Sequence, residues 1–196
     1  MFAPDVSRDP IDQYLRAAER AKTEGVDTAP AALATADAQG RPSLRVILVR
    51  GVDQRGFVFY TNYGSRKARE LTGNPHAALC QHWPALEEQI RVEGRVELVD
   101  PQESDRYFAG RPRDSQLGAW ASEQSRPLDH RGTFETRFEE ARMRFDGGDV
   151  PRPPYWTGFR LLPERIEFWE DRPHRLHHRR LFTRRDDGWS IGLLYP

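Results

Sequence analysis

Residues 87–100 read EEQIRVEGRVELVD, and their alternation decides the fold class. Ile90, Val92, Val96 and Leu98 fall on one side of an extended chain, and Gln89, Arg91, Glu93 and Arg95 on the other. Side chains alternate across a strand with a period of two, so this segment predicts a half-buried antiparallel strand with one wet face. Gly94 interrupts the apolar set, which suits a bulge or the close approach of another backbone.

Similar segments lie on both sides. HAALCQHW (76–83) and GFVFYTN (56–62) predict strands, and PAALATADAQGRPSLRVILVRG (30–51) predicts two around a turn at Asp37 to Gly40. Pro42 follows that turn at once, where a strand begins. In the second of the two, Leu44, Val46 and Leu48 share one face, and Arg45, Ile47 and Val49 the other. Downstream, WTGFRLL (156–162), RIEFWE (165–170), HRRLFTR (178–184) and WSIGLLY (189–195) predict four more strands.

Helices intervene. The first spans about 9–24: Asp9 caps it, Pro10 fits its first turn, and Ile11, Tyr14, Leu15 and Ala18 line one face. SRKAREL (65–71), PQESDRYFA (101–109) and DSQLGAWAS (114–122) predict short helices. In GTFETRFEEARMRF (132–145), Phe134, Phe138 and Met143 stand near helical spacing, and DGGDVPRPPYW (146–156) must be a loop. Strand-rich blocks with short helices between them, without βαβ alternation, predict a mainly β fold: an antiparallel barrel with peripheral helices. The same pattern is compatible with an open α+β sheet. One domain over residues 1–196 is expected.

Thirty Lys and Arg balance thirty Asp and Glu, which argues against a generally basic nucleic-acid binder. The single cysteine, Cys80, has no internal partner and apolar neighbours, so a buried thiol in a reducing compartment is expected. No apolar run approaches the ~20 residues of a membrane helix. MFAPDVSRDP lacks a secretory apolar stretch, so a cytoplasmic, membrane-free protein is expected. His174, His177 and His178 cluster, but no second ligand group accompanies them, so no metal site is expected. G-x-S-x-G, P-loop and G-x-G-x-x-G patterns are absent.

Anion chemistry fits better. In NYGSRKAREL (62–71), Ser65 precedes a helix whose first turn holds Arg66 and Lys67. Free helix N–H groups, a hydroxyl and two cations suit a phosphate, although a solvated amphipathic helix reads the same way. Arg45, within an otherwise apolar strand, calls for an anionic ligand or a carboxylate nearby. In RYFAGRPRDSQLGAW (106–120), Tyr107, Arg111 and Ser115 recur at a spacing of four. They converge on a second phosphate or are a core-edge aromatic and a surface cation. In IEFWEDRPHRLHHRR (166–180), Trp169 either covers a planar ligand or packs on the sheet. Arg175, His177 and Arg179 alternate, so an extended segment would point all three one way and Leu176 and His178 the other. That row suits an RNA surface or a small-anion pocket.

RVILVRG (45–51), FYTNYGSRKARELTGNP (59–75), RPRDSQLGAWASEQS (111–125) and IEFWEDRPHRLHHR (166–179) carry a resemblance. From about Asp9 to the C-terminus the chain resembles the pyridoxamine/pyridoxine 5′-phosphate oxidases, FMN enzymes of the split-barrel flavoprotein class. The resemblance implies an antiparallel split β-barrel and a homodimer with FMN at the subunit interface, residues from about 150–196 forming the dimerisation and substrate region. It implies FMN contacts from Arg45, Val46, Ile47, Leu48, Tyr60, Thr61, Arg66, Lys67, Gln89, Gln124, Ser125, Trp169 and Arg179, with Arg66 and Lys67 on the FMN phosphate. It assigns the substrate phosphate to Arg50, Tyr107, Arg111 and Ser115, and places Arg175 and His177 against the substrate ring as an orienting and proton-handling pair.

The implied reaction is oxidation of pyridoxamine or pyridoxine 5′-phosphate to pyridoxal 5′-phosphate, with hydride passing to FMN and O₂ giving H₂O₂. The runner-up is a related FMN oxidase acting on another aromatic, as in phenazine formation; retention of RPRDSQLGAW favours the first. The chain departs from the family pattern in four ways. Arg50 stands where Lys is usual, Glu88 where a basic residue is common, and His178 where Asp is common. The usual Arg-containing segment before the first helix is also missing, so a short or absent lid is expected.

Overall fold

The structure, a computed structural model, describes residues 9–196. MFAPDVSR and the expectation about an upstream segment lie outside the described residues. Helix α1 (Pro10–Thr23) begins where Asp9 accepts the Ile11 N–H at 2.8 Å, with Pro10 in the first turn. Its inner stripe is Ile11, Tyr14, Ala17, Ala18 and Ala21. Leu15, expected to face inward, is 41% exposed because small alanines let the helix sit close on that stripe.

Eight strands form one antiparallel sheet: β1 (Pro30–Ala36), β2 (Pro42–Asp53), β3 (Gly56–Asn62), β4 (His76–Trp83), β5 (Glu88–Leu98), β6 (Trp156–Glu170), β7 (His178–Arg185) and β8 (Gly188–Leu193). Their order is β3-β2-β1-β4-β5-β6-β7-β8, and β3 also pairs with β6. That extra pairing closes the first six into a barrel and excludes the open sheet. The β7–β8 hairpin extends the sheet beyond the closure.

The two strands predicted at 156–162 and 165–170 are one strand, β6, running through Pro163. The pairing with β5 shifts from Glu93↔Arg165 to Gly94↔Pro163, which leaves Glu164 as the extra residue of a bulge. A proline lacks the ladder N–H, and a bulge is where a strand tolerates that loss. Gly94 faces it closely: a Cβ there would lie 2.0 Å from the Leu162 carbonyl oxygen and 2.9 Å from the Glu164 nitrogen. Leu98, expected inside, is exposed, because Val96 is the last inward residue of β5 and Val99 fills the core as the chain leaves it.

The barrel interior is filled by Leu33, Phe57, Phe59, Leu79, Ile90, Val92, Leu161, Ile166, Phe168 and Phe182, with Ile47 and Val49 from β2. The opposite face of β2 stays open: Leu44 is 69% and Val46 68% exposed. Helix α2 (Arg66–Gly73) follows β3. Helices α3 (Pro101–Ala109), α4 (Arg113–Ala121) and α5 (Arg131–Arg144) enclose a second, smaller core of Phe108, Leu117, Ala141, Val150 and Trp156. Helix α5 lacks a buried stripe: Phe134 and Phe138 are half-buried and Met143 is exposed.

No helix among the described residues is long and apolar enough to cross a membrane. Because backbone atoms, not flexible side chains, crowd Gly94, a Gly94→Ala substitution is expected to destabilise the fold by more than about 3 kcal/mol. Gly118→Ala in α4, where a Cβ meets nothing within 4 Å, is expected to be neutral or stabilising. Urea denaturation of the two variants checks the contrast.

Candidate active site

A cleft of about 800 Å³ lies between the open face of β2, the end of β3, the start of α2 and the helices after β5. Ser65, fully buried, caps α2 by accepting the Ala68 N–H at 3.4 Å, which brings Arg66 and Lys67 to the cleft. Lys67 is buried, and its Nζ donates to Thr61 Oγ1 at 3.0 Å and Gln124 Oε1 at 2.9 Å. These partners are neutral oxygens. Burial first, and then the charge of Arg45, lowers the Lys67 pKa to about 8.

The two neighbouring arginines do have a carboxylate. Arg66 donates its Nε to Glu70 Oε1 at 2.8 Å. The Arg45 guanidinium turns under the sheet to the Leu33 carbonyl at 3.1 Å, Thr35 Oγ1 at 2.5 Å, Ser43 Oγ, and Glu70 Oε2 at 3.3 Å. Of the two partners open for Arg45, a ligand or a carboxylate, the protein supplies the carboxylate. Burial alone would push the Glu70 pKa up. Hydrogen bonds from Ser43, Thr35 and Arg66, together with the charge of Arg45, outweigh it and hold the carboxyl at about 2.

The cleft's other pole is aromatic and cationic. Tyr60 stacks on Tyr107, centroids 3.9 Å apart and planes 1° off parallel, and on Trp156 at 5.2 Å. The Arg111 guanidinium sits 4.9 Å from the Trp156 ring centroid, and its Nη1 is buried without a hydrogen-bond partner. Burial lowers its pKa, and the like charge of Arg50 acts in the same sense. Burial, then the Glu103 and Tyr107 charges, raises the Tyr60 pKa to about 12. Ser115, at the start of α4, completes this pole.

One cleft therefore gathers Arg45, Val46, Ile47, Leu48, Arg50, Tyr60, Thr61, Arg66, Lys67, Tyr107, Arg111, Ser115, Gln124 and Ser125. Gln89, Trp169, Arg175, His177 and Arg179 do not line it. The first, second and last of these form a register row across three strands, Gln89↔Trp169 and Trp169↔Arg179. Arg179 donates its Nε to the buried Glu167 at 2.7 Å and an Nη to the Tyr195 carbonyl at 3.0 Å; the Glu167 hydrogen bond raises its pKa.

The simple alternation expected for Arg175, His177 and Arg179 does not exist. Pro173–Arg175 is a one-turn 3₁₀ helix in which His174 (φ 61°) and Arg175 (φ 62°) adopt the left-handed conformation, and β7 begins only at His178. Proline sets the turn, and such backbone strain concentrates at functional segments. His177 is nevertheless placed beside the row. Its ring centroid is 4.7 Å from that of Trp169, and its Nδ1 is 2.8 Å from Asp171 Oδ1. The His178 side chain is 70% exposed. Glu88 faces neither cluster: it is buried beneath α1 and held by Arg20 at 2.5 and 2.6 Å. Cys80 is half-buried, and burial raises its pKa.

Sequence reasoning missed Trp156, Asn62 and Phe134 in the cleft and Glu70 behind it. Only Glu70 left a signal, four residues after Arg66 on one helix face. Among the described residues, no three His, Cys, Asp or Glu side chains gather as a metal site.

The closed six-stranded barrel, its side helices and the two-pole cleft define a split-barrel protein with a cation-lined cleft. A family model described as pyridoxamine 5′-phosphate oxidase matches residues 19–145, and one described as pyridoxine 5′-phosphate oxidase C-terminal dimerisation region matches 156–196. The chain belongs to the pyridoxamine 5′-phosphate oxidase family. It is 54% identical over 194 residues to pyridoxine/pyridoxamine 5′-phosphate oxidase from Anaeromyxobacter dehalogenans, covering 98% of each chain. It is 60% identical over 179 residues to that of Sphingopyxis alaskensis, covering 91% of this chain and 83% of the relative. Among solved structures, PhzG from Burkholderia lata in complex with tetrahydrophenazine-1-carboxylic acid superposes with a TM-score of 0.93 at 34% identity, covering 98% of this chain and 95% of that one.

With Lys67 titrating near 8, its cation is lost as pH rises through that value. The affinity of this corner for a phosphorylated ligand such as FMN is therefore expected to fall above about pH 8, by up to roughly tenfold per pH unit. Lys67→Met is expected to bind more weakly and without that slope, as read by quenching of flavin fluorescence.

Proposed function

We propose that this protein oxidises pyridoxine or pyridoxamine 5′-phosphate to pyridoxal 5′-phosphate with FMN as its cofactor. The observation that carries the reading is the cleft's pair of cationic poles, Lys67 with Arg66 and Arg111 with Arg50. Each holds a buried cationic nitrogen short of an acidic partner, Lys67 Nζ in one and Arg111 Nη1 in the other, which fits two phosphorylated ligands lying side by side. Relatives alike over nearly the whole chain carry the same activity in their names.

In this reading Lys67, the Arg66 Nη groups and Thr61 hold the FMN phosphate, and β2 from Arg45 to Leu48 lies along the flavin. Arg45 supports that wall from beneath, since its guanidinium is engaged with Thr35, Ser43 and Glu70. Arg50, Tyr107, Arg111 and Ser115 hold the substrate phosphate, the free Arg111 Nη1 taking one oxygen. FMN held there would supply the two-electron acceptor chemistry, with O₂ as the final oxidant yielding H₂O₂; for the amine substrate, water would hydrolyse the resulting imine and release ammonia.

Gln89, Trp169, Arg175, His177 and Arg179 act in a cleft other than their own chain's. A homodimer brings this second cluster of one protomer to the cleft of its partner, covering the open Leu44–Val46–Leu48 face. Trp169 and Arg179 then meet the flavin. Arg175 supplies charge and hydrogen bonds at the substrate ring, and His177 accepts or relays the proton.

Purified protein is expected to be yellow and dimeric and to release pyridoxal 5′-phosphate and H₂O₂ under air. FMN-loaded protein that yields no aldehyde from either phosphorylated vitamer would overturn the activity; flavin reduction by tetrahydrophenazine-1-carboxylic acid instead would favour a reaction on that aromatic. Arg175→Ala is expected to keep FMN but lose at least about 100-fold in the rate of anaerobic flavin reduction. An unchanged stopped-flow rate would remove Arg175 from the mechanism.

A further inference from the structure

Glu70 poses a puzzle: a carboxylate 7% exposed lies directly behind the corner of the cleft that is richest in cations. A negative charge there opposes an anionic ligand. Its hydrogen bonds explain the placement. Thr35 and Ser43 hydroxyls each donate to Oε2 at 2.5 Å, anchoring the carboxylate to β1 and β2. The other oxygen, Oε1, receives the Arg66 Nε at 2.8 Å. A guanidinium bound through Nε is fixed in plane while both terminal nitrogens stay available on its far edge. The Arg66 side chain is 60% exposed, so without this bond it has many rotamers to lose on binding.

We infer that Glu70 is a positioning residue for the phosphate corner: it orients Arg66 through Nε so that the terminal nitrogens meet the phosphate of the cofactor. Glu70 does not itself line the cleft, so it acts through Arg66. The inference rests on reading the cleft as an FMN site, and it deepens that reading by separating the residue that grips the phosphate from the one that aims it. The same geometry recurs at the second cluster, where the buried Glu167 takes Arg179 by Nε at 2.7 Å.

Two pictures predict opposite signs. If Glu70 is merely a negative charge near an anion, its neutralisation tightens FMN. If it aims Arg66, neutralisation weakens FMN. The experiment titrates apoprotein with FMN and with riboflavin, which lacks the phosphate, in the wild type, Glu70→Gln, Arg66→Ala and the double variant. Expected for Glu70→Gln is about a tenfold weaker FMN affinity with riboflavin affinity unchanged.

In the Arg66→Ala background, adding Glu70→Gln is expected to cost nothing more. Tighter or unchanged FMN binding in Glu70→Gln, or fully additive losses in the double variant, would overturn the inference. Should Glu70→Gln fail to fold, Arg66→Lys serves instead, because it keeps the charge and Glu70 but removes the Nε–H fork. Arg66→Lys binding FMN as tightly as wild type would equally overturn it. Wild-type apoprotein that takes up no FMN sinks the cofactor reading itself, a separate outcome.

Discussion

The close crossing of β5 and β6 at Gly94 is the constraint on which the rest of the molecule depends. Because the Gly94 backbone lies against the Leu162 carbonyl, β6 passes through Pro163 without breaking and continues to Glu170. Its first half pairs with β3 and closes the barrel, and its second half pairs with β7. One strand thus holds Trp156, which lines the cleft, and Trp169, which belongs to the second cluster. The bulge fixes how those two indoles are turned relative to one another, since a one-residue slip would move every later side chain to the other face.

The electrostatics of both clusters follow one pattern. One arginine in each cluster is tied from behind by a buried carboxylate, Arg66 by Glu70 and Arg179 by Glu167. Lys67 and Arg111 instead meet neutral oxygens or an aromatic face. Burying a charge beside neutral groups is unfavourable, and an anion placed next to it offsets that cost. Arg160 belongs to a different category: fully buried between Asp53 and Glu103, it ties the β2–β3 turn to α3 and so fixes the helix that carries Tyr107.

Much of this was legible in the chain. The period-two alternation of 87–100 and the short runs at 56–62 and 76–83 identify strands whose bounds the structure reproduces closely. The cationic corner of the cleft was legible because Ser65, Arg66 and Lys67 are adjacent at a helix start. Other features were not. Closure by β3 with β6 depends on residues about a hundred positions apart, and no local pattern reports it. Pro163 looked like a strand end because its bulge is visible only with Gly94 opposite. The left-handed His174 and Arg175 broke an alternation that a linear reading takes for granted. That Gln89, Trp169 and Arg179 share one row is a matter of register, which adjacency along the chain does not encode.

The stack of Tyr60, Tyr107 and Trp156 has an optical consequence. All five tryptophans fall within the described residues, and Trp156 is the one that lines the cleft. Its indole plane is nearly parallel to those of two stacked tyrosines, and the Arg111 cation lies 4.9 Å from its ring centroid, so a change in the position of that guanidinium would alter its surroundings. The protein thus carries an intrinsic emission probe at the Arg111 end of the cleft.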